Sequence, residues 1–332
     1  MLRMSPCLAP FRIRNAEQAV PARDKKRGRV FKHQLMLWIV ALLLLLPLIG
    51  NAAQVVIVPS DNAVAYGEAE AALREKLTAY TSETLAPANL DRIAAGGDAK
   101  LIIAIGTKAL QAALGSNNKI PVLAVLVTRK SFRQLTSAAA GSRQVSAVYI
   151  DQPLSRQLNL VRLVVPGKQR VGVLFSTESE SELAELKRTT LAQKLTLVPE
   201  GVNAGDELPA ALAKLLSASD VILAIPDPSI FNSGTIQNIL FSAYRARKPL
   251  VSFSPYYVRA GAVAAVYSTP KQLAHQAAEM ARHWFSSGVL AQPQYAHDFS
   301  VATNPTAARS LDLIIGDEKT IEDKLSSRNE GP

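Results

Sequence analysis

The sequence predicts an α/β fold of two Rossmann-like, doubly wound lobes that are joined by a hinge and preceded by an N-terminal signal peptide. Three observations lead to this prediction. Short apolar runs alternate with stretches of helical composition through residues 54–287, most of these runs are apolar at every position, and the pattern restarts near residue 150. Continuous apolar strands separated by helices are typical of parallel sheets that carry helices on both faces.

The runs and stretches give a definite order of elements. The predicted strands are 54–59, 99–105, 121–127, 145–150, 170–175, 195–199, 221–225, 249–253 and 262–267. The predicted helices are 66–80, 107–114, 154–165, 180–194, 207–216, 236–247 and 270–285. We expect one lobe to comprise residues 53–147 with 266–288, and the other to comprise 148–265 with 289–325. We expect residues 326–332 to form a disordered tail.

The N-terminal segment indicates the compartment. Residues 35–46 are an uninterrupted apolar run that ends before Pro47. A membrane-spanning helix needs about 20 apolar residues, so the run has the length of a signal-peptide core instead. Basic residues precede it between positions 23 and 32, and small residues follow it at 50–53. We therefore expect residues 1–52 to be a cleaved leader and the mature protein to be periplasmic; an uncleaved inner-membrane anchor is the alternative.

Charge and cysteine content exclude several classes of protein. The formal charge of +10 falls mainly on the leader, since residues 1–52 hold nine of the 37 Lys/Arg and two of the 27 Asp/Glu. The remainder has 28 basic and 25 acidic side chains and no basic run, which argues against a nucleic-acid partner. The single cysteine, Cys7, lies in the leader, so the mature chain has no disulfide.

Several motifs resemble, in order and spacing, those of the ABC-transporter substrate-binding protein family whose better-known members bind aromatic amino acids such as tryptophan. The matching segments are Gly106-Thr107, Lys119-Ile120-Pro121-Val122, Val165-Pro166-Gly167, Pro226-Asp227-Pro228 and Thr303-Asn304-Pro305. The resemblance implies a type I periplasmic-binding fold and a small ligand held between the lobes. It also implies an ABC permease in the inner membrane as partner, a monomeric protein and no cofactor.

Two departures from the family pattern bear on the ligand. Thr128-Arg129-Lys130 stands where the family has Ser/Thr-Asp-Pro, and Gln144-Val145-Ser146-Ala147 stands where it has Asn-Val-Thr-Gly. We expect both segments to lie near the ligand. An arginine in place of an aspartate reverses the local charge, which favours a more anionic ligand over a zwitterionic amino acid.

Ligands of open α/β sheets bind outside the carboxyl ends of the strands, which locates the candidate site. The candidate ligand-binding residues are Ser60, Tyr66, Gly106, Thr107, Thr128, Arg129, Ser176, Asp227, Ser254, Tyr256 and Tyr267. Gly106-Thr107 opens a helix whose free N–H groups suit a carboxylate, although Thr107 could equally cap that helix. Asp227, between two prolines, either accepts hydrogen bonds from a ligand or stabilises its turn. Tyr256 is the aromatic wall that we favour.

The sequence contains no catalytic machinery that we recognise. His275 and His283 lie eight residues apart on a predicted helix, too far for shared metal ligation, and no HExxH, GxSxG, CxxC or P-loop spacing occurs. We therefore expect neither an enzyme nor a metal protein. The predicted function is periplasmic solute binding by hinge closure for ABC-type uptake. The alternatives are a sensory or accessory protein of the same fold, and a protein whose cleft has lost its ligand.

Overall fold

The computed structural model describes residues 54–93, 99–137, 143–202 and 207–328. The predicted leader and its apolar run lie outside these residues, as do residues 329–332 of the predicted tail. Within the described part of the chain, no helix has the length and apolar composition that a membrane crossing requires.

Twelve strands are described. They are β1 (Gln54–Pro59), β2 (Ser82–Thr84), β3 (Ala99–Ile105), β4 (Val122–Val127), β5 (Val145–Tyr149), β6 (Arg170–Phe175), β7 (Thr196–Gly201), β8 (Val221–Leu223), β9 (Leu250–Ser252), β10 (Ala264–Tyr267), β11 (Gln294–Tyr295) and β12 (Ser300–Thr303).

Eleven α-helices and two short 3₁₀ segments, Pro87–Arg92 and Glu180–Glu182, connect the described strands. The α-helices are α1 (Val64–Lys76), α2 (Thr107–Gly115), α3 (Arg129–Ser137), α4 (Leu154–Val164), α5 (Leu183–Ala192), α6 (Leu208–Ala218), α7 (Ile236–Arg245), α8 (Pro255–Ala260), α9 (Pro270–Ser287), α10 (Pro305–Ser310) and α11 (Glu318–Ser326).

The first sheet has the strand order β11-β5-β4-β3-β1-β2, and all of its pairs are parallel. Its central strands carry apolar side chains at successive positions because both faces are covered. Helices α1 and α9 pack on one face through residues such as Leu73 and Leu273. Helices α2 and α3 cover the other face through residues such as Leu110 and Phe132. We call this sheet and its helices the first lobe.

The second sheet has the strand order β12-β10-β9-β8-β6-β7 and is parallel except for β12, which runs antiparallel to β10. One face packs against α4, α5 and α11, with Leu158 and Ile321 in the shared core. The other face packs against α6, α7 and α8, with Leu215 and Ile239 buried between them. This sheet and its helices form the second lobe.

The chain passes between the lobes three times. The crossings are residues 150–153 after β5, 268–269 after β10 and 296–299 after β11. The first two crossings begin two residues after the predicted lobe boundaries and the third begins seven residues after, because β5, β10 and β11 stay paired in their own sheets up to residues 149, 267 and 295. Helix α9 returns to the first lobe, where it packs against α1 and β4.

Buried polar side chains tie the three crossing segments together. Gln152 Nε2 donates to Ser268 Oγ at 2.9 Å, and that hydroxyl donates to the carbonyl of Asp298 at 2.7 Å. The Arg156 guanidinium donates to Gln152 Oε1 at 2.6 Å and to the carbonyl of Ala296 at 3.0 Å. Gln152, Arg156 and Ser268 are all buried, so these bonds satisfy groups that have left water. We call this set of contacts the hinge network.

Most predicted elements are present, and the additional ones have weak sequence patterns. Strand β2 is a three-residue polar edge strand, and β11 has two residues. Helix α3 is polar and buries only Phe132. The first residue of the predicted tail, Ser326, is the last residue of α11. Two residues later, the Arg328 guanidinium donates to Asn159 Oδ1 at 3.3 Å.

The hinge network yields a stability prediction. Gln152→Met would leave the buried Arg156 guanidinium without one acceptor and Ser268 without its donor. Buried polar groups that lose a partner cost about 1–3 kcal/mol each, so we expect a loss of at least 2 kcal/mol in the free energy of unfolding by urea titration. Gln134→Met, at an exposed position of α3, serves as the control. Equal stability of the two variants would contradict a structural role for the network.

Candidate functional site

The carboxyl ends of β1 and β3 bring four candidate residues of the first lobe together. Gly106 has a φ of +87° and precedes α2. A Cβ atom at this position would lie 2.6 Å from Ser60 Oγ and 2.8 Å from the Tyr66 hydroxyl oxygen. Only glycine therefore fits this turn, both by conformation and by space.

Ser60, and not Thr107, caps helix α2. Ser60 Oγ accepts a hydrogen bond from the backbone N–H of Ala109 at 2.9 Å, which satisfies one of the free donors of the first helical turn. Thr107 occupies the first helical position with its side chain exposed. The capping alternative for Thr107 is thus not what the structure shows, and its hydroxyl faces solvent.

A bulge at the end of β4 positions the next candidates. The register of β4 with β5 shifts between Val125 and Val127, and Leu126 adopts a φ of +56°. Such strain in a non-glycine residue often marks a functional site. Thr128 follows directly, and its hydroxyl accepts from the backbone N–H of Ser131 at 3.0 Å. Helix α3 consequently starts with Arg129 at the boundary between the lobes.

Two ion pairs join this segment to the second lobe. The Arg129 guanidinium binds the Glu185 carboxylate through both terminal nitrogens, one of them 3.2 Å from Oε1. Lys130 Nζ lies 2.6 Å from Glu178 Oε2 and also donates to the Glu178 carbonyl. The charge of Arg129, from which the sequence predicted an anionic ligand, is met here by a carboxylate of the opposite lobe.

Two half-buried carboxyl groups, those of Asp151 and Glu182, lie near this boundary. Asp151 Oδ2 accepts from the backbone N–H of Arg129 at 2.5 Å. Burial raises the pKa of Asp151 above its usual value. Burial also raises the pKa of Glu182, and the neighbouring negative charge of Asp151 raises it further. The ring centroid of Tyr295 lies 5.7 Å from the guanidinium carbon of Arg129. Burial raises the pKa of the Tyr295 phenol to about 12.

On the second-lobe side, Asp227 forms a closed local network. Its Oδ2 accepts from the backbone N–H of Ser176 at 3.0 Å, from Ser176 Oγ at 2.7 Å and from Ser179 Oγ at 2.6 Å. Its Oδ1 accepts from the backbone N–H of Ser229 at 3.0 Å, and the side chain is 1% exposed. These contacts favour the turn-stabilising alternative for Asp227, and they engage Ser176 as well.

The remaining candidates lie on two parts of the second lobe, the start of α8 and the end of β10. Ser254 caps α8 by accepting from the Tyr256 backbone N–H at 3.3 Å. Tyr256 is 51% exposed, with the Arg259 guanidinium 5.9 Å from its ring centroid. Tyr267 ends β10, and burial together with the negative charge of Glu318 raises its pKa. Among the described residues, no recorded hydrogen bond or ion pair links these three side chains to Ser60, Tyr66, Gly106 or Thr107.

A cavity of about 830 Å³ lies between the lobes beside the hinge. Its first-lobe wall is formed by Arg129, Arg133 and Tyr295. Its second-lobe wall is formed by residues of α4 and α5 and by the third crossing segment; they are Leu154, Ser155, Arg156, Glu185, Arg188, Thr189, Ala192, Gln193, Ala296 and His297. We call it the hinge cavity. Arg129 is the one candidate residue from the sequence that lines it.

The structure places the segment Gln144–Ala147 apart from the other candidate residues. This segment is at the amino end of β5, which is the end of a parallel strand opposite to the ligand side. Gln144 Nε2 donates to the Gly288 carbonyl at 2.9 Å, and Ser146 Oγ donates to the Ala291 carbonyl at 2.6 Å. Gln144 and Ser146 therefore hold the segment between α9 and β11. In the described part of the chain, no cluster of three or more His, Cys, Asp or Glu has the arrangement of a metal site.

Comparison with known proteins connects this architecture to one family. The sequence model of the family described as "ABC transporter substrate binding protein" matches residues 63–323. No curated protein sequence matches the chain.

Three solved structures have a related fold. A conserved domain protein from Vibrio cholerae is 21% identical, with a TM-score of 0.56 over 80% of this chain and 96% of its own. An ABC domain from Streptococcus pneumoniae in complex with L-Trp is 16% identical, with a TM-score of 0.57 over 81% and 98%. A ligand-free, open substrate-binding protein with adhesive properties from Clostridium difficile is 16% identical, with a TM-score of 0.68 over 81% and 97%. The predicted two-lobed fold class is confirmed.

The turn at Gly106 yields a prediction on stability. Gly106→Ala would place a methyl group against Ser60 and Tyr66 at a φ that L residues rarely adopt, so we expect a loss of about 2 kcal/mol or more. Gly67→Ala is the matched control, because nothing lies within 4 Å of its added Cβ in helix α1; there alanine should stabilise by up to about 1 kcal/mol. Urea titration measures both. A neutral Gly106→Ala variant would refute the close approach.

The half-buried carboxyl group of Glu182 yields a prediction on pH. A raised pKa in the folded state means that Glu182 contributes stability below its unfolded pKa, and that this stability is lost as the pH rises through the folded pKa. Glu182→Gln removes this ionisation. The melting temperature of the variant minus that of the wild type should therefore be larger at pH 7 than at pH 4. Glu180→Gln, at an exposed position of the same 3₁₀ segment, should show no such difference. Calorimetry at both pH values tests this, and an equal difference at pH 4 and 7 would contradict it.

Proposed function

The chain belongs to the family of ABC transporter substrate-binding proteins, and we propose that it is a periplasmic solute-binding protein of an ABC-type uptake system. In this proposal the mature protein starts near residue 53, acts as a monomer and presents its ligand to a permease in the inner membrane. The family is one of substrate-binding proteins, and we propose that this chain, in which we recognise no catalytic motif, is not an enzyme.

One observation carries the proposal at the level of geometry. The segment after β4 of the first sheet and the segment after β6 of the second sheet meet through the ion pairs of Arg129 with Glu185 and of Lys130 with Glu178. The carboxyl ends of two parallel sheets are thereby opposed across the lobe boundary. This is the position at which α/β proteins bind small ligands.

Hinge closure would couple the ligand to the lobes. A ligand that contacts both lobes stabilises whichever arrangement lets it make both sets of contacts, and it shifts the population only by that difference in affinity. In this proposal the three crossing segments form the hinge, since hinges are short segments that absorb the backbone changes of domain closure. The ion pairs across the boundary are partly exposed, and partly exposed pairs are worth about 0–1 kcal/mol each, so a ligand can readily replace them.

We propose that the first-lobe part of the site consists of Ser60, Tyr66, Gly106, Thr107 and Thr128. The free N–H groups at the start of α2 and the exposed Thr107 hydroxyl would hold a polar end of the ligand, since the helix N-terminus favours negative charge. An amino acid is the first candidate ligand, because the related domain from Streptococcus pneumoniae was solved with L-Trp.

We propose that the second-lobe part consists of Ser176, Asp227, Ser254, Tyr256 and Tyr267, together with Arg129 at the boundary. Tyr256 is the most accessible of these side chains and would cover the ligand on closure. Asp227 and Ser176 would act mainly by fixing the loop that follows β6, since their polar atoms already hydrogen-bond to each other and to neighbours.

The proposal is tested by a thermal-shift screen of residues 53–332 against amino acids, small carboxylates, nucleosides and sugars. A ligand at one hundred times its dissociation constant adds about 2.7 kcal/mol to the free energy of unfolding, which raises the melting temperature measurably. Thr107→Ala should weaken or abolish the shift. Thr78→Ala, an exposed threonine outside the cleft, should leave it unchanged.

The outcome separates the two functions that the fold permits. A hit that depends on Thr107 supports solute binding in the cleft. Silence of the folded, ligand-free protein across the whole panel would overturn it, and a sensory or accessory role for the same fold would then be favoured.

A further inference from the structure

We infer that the hinge cavity binds a small organic anion that carries carboxylate or phosphoryl groups, through Arg129, Arg133 and Arg188. This inference rests on the proposed solute-binding function and deepens it by naming the chemical class of a ligand. It concerns a different set of side chains from the cleft at Thr107 and Tyr256. Of the residues nominated from the sequence, only Arg129 takes part.

The cavity has the size and position of a ligand site. Its volume of about 830 Å³ lies within the range of small-molecule pockets, about 300–1,000 Å³. Its walls come from both lobes, with α3 and β11 on one side and α4 and α5 on the other. A molecule bound here would touch both lobes beside the hinge, so its binding would respond to their relative position.

The charge of the walls selects an anion. Four arginines line the cavity against one carboxylate, that of Glu185. Arg133 and Arg188 are exposed and form no ion pair with any residue that the structure describes. Arg156 is different, because its guanidinium is held in the hinge network and lies 4.2 Å from the Phe299 ring centroid. Two unpaired guanidinium groups on opposite walls fit the planar, bidentate geometry of carboxylates and phosphoryl groups.

Arg129 is the third arginine that would bind the anion, and the Glu185 carboxylate competes with the anion for it. The Arg129 guanidinium contacts Glu185 across the cavity, with the two side chains 18% and 33% exposed. An anionic ligand can take the place of the Glu185 carboxylate without leaving Arg129 uncompensated. Asp151 and Glu182 also lie near Arg129, but they do not line the cavity.

The remaining wall favours an organic molecule over an inorganic ion. The Tyr295 ring and the apolar side chains of Leu154 and Ala192 supply surface for a carbon skeleton. Ser155, Thr189 and His297 add groups that can hydrogen-bond to it. The cavity therefore combines positive charge on two opposite walls with apolar surface and a few hydrogen-bonding groups, as pockets for small organic ligands do.

Isothermal titration of residues 53–332 with citrate, glycerol phosphate, inorganic phosphate and L-tryptophan tests the inference. We expect citrate or glycerol phosphate to bind more tightly than inorganic phosphate, and the affinity to fall as salt is raised. Arg133→Gln and Arg188→Gln should each weaken that binding about tenfold or more, since a hydrogen bond to a charged group is worth about 1.5–3 kcal/mol. Lys187→Gln, on the same helix but outside the cavity lining, is the matched control and should change it little.

Glu185→Gln provides a readout that a purely structural role would not give. The substitution removes the competing carboxylate from Arg129, so anion affinity should rise severalfold while the two arginine variants lower it. Equal affinities for Arg188→Gln and Lys187→Gln, or an unchanged affinity for Glu185→Gln, would overturn the site. Circular dichroism confirms that each variant is folded.

The result also separates the inference from the proposed function. If L-tryptophan binds in a Thr107-dependent manner and neither organic anion binds, the solute-binding proposal stands and the anion site is refuted. If neither the anions nor any member of the wider panel binds, both are refuted. If citrate or glycerol phosphate binds through Arg133 and Arg188, the anion site is supported, and the cleft at Thr107 is supported as well only if Thr107→Ala weakens the binding of a member of the wider panel.

Discussion

The hinge network is the constraint on which the rest of the structure depends. Gln152, Ser268 and the carbonyl of Asp298 link the three crossing segments in one chain of buried hydrogen bonds, and Arg156 joins it to the second lobe. A fully satisfied buried network fixes geometry more than it adds stability. By holding the crossings side by side, it determines where the strand ends of one sheet lie with respect to those of the other. Both proposed binding regions inherit their position from it.

Charged side chains near the lobe boundary have two distinct kinds of partner. Asp227 accepts all its hydrogen bonds from residues of its own lobe and is removed from solvent. Arg129 and Lys130 find their partners on the other lobe and stay partly exposed. The first arrangement makes a rigid loop, and the second makes contacts that can be exchanged. The ion pairs that can be exchanged are therefore those between α3 of the first lobe and Glu178 and Glu185 of the second lobe.

The apolar pattern of the sequence was sufficient to predict the fold class and most strands and helices. Strands that are buried on both faces are apolar at successive positions, and such runs are easily recognised in a sequence. The pattern could not reveal β2, β11 or α3, which are short or polar and are stabilised by pairing and position rather than by an apolar pattern. The candidate site residues follow the carboxyl ends of the strands, as the sequence pattern placed them, and their role in binding stays a prediction. The partners of Arg129 and Asp227 were not predictable, since Glu185 and Ser179 lie 56 and 48 positions away.

The interleaved connectivity of the lobes has a consequence for how the chain acquires its structure. The first sheet is covered on one face by α9, whose Leu273, Ala274 and Ala277 are fully buried against it, and the second sheet is completed only by β12. A nascent chain that ends before about residue 290 would expose these apolar faces. Neither lobe can therefore complete its core until nearly the whole polypeptide has been synthesised.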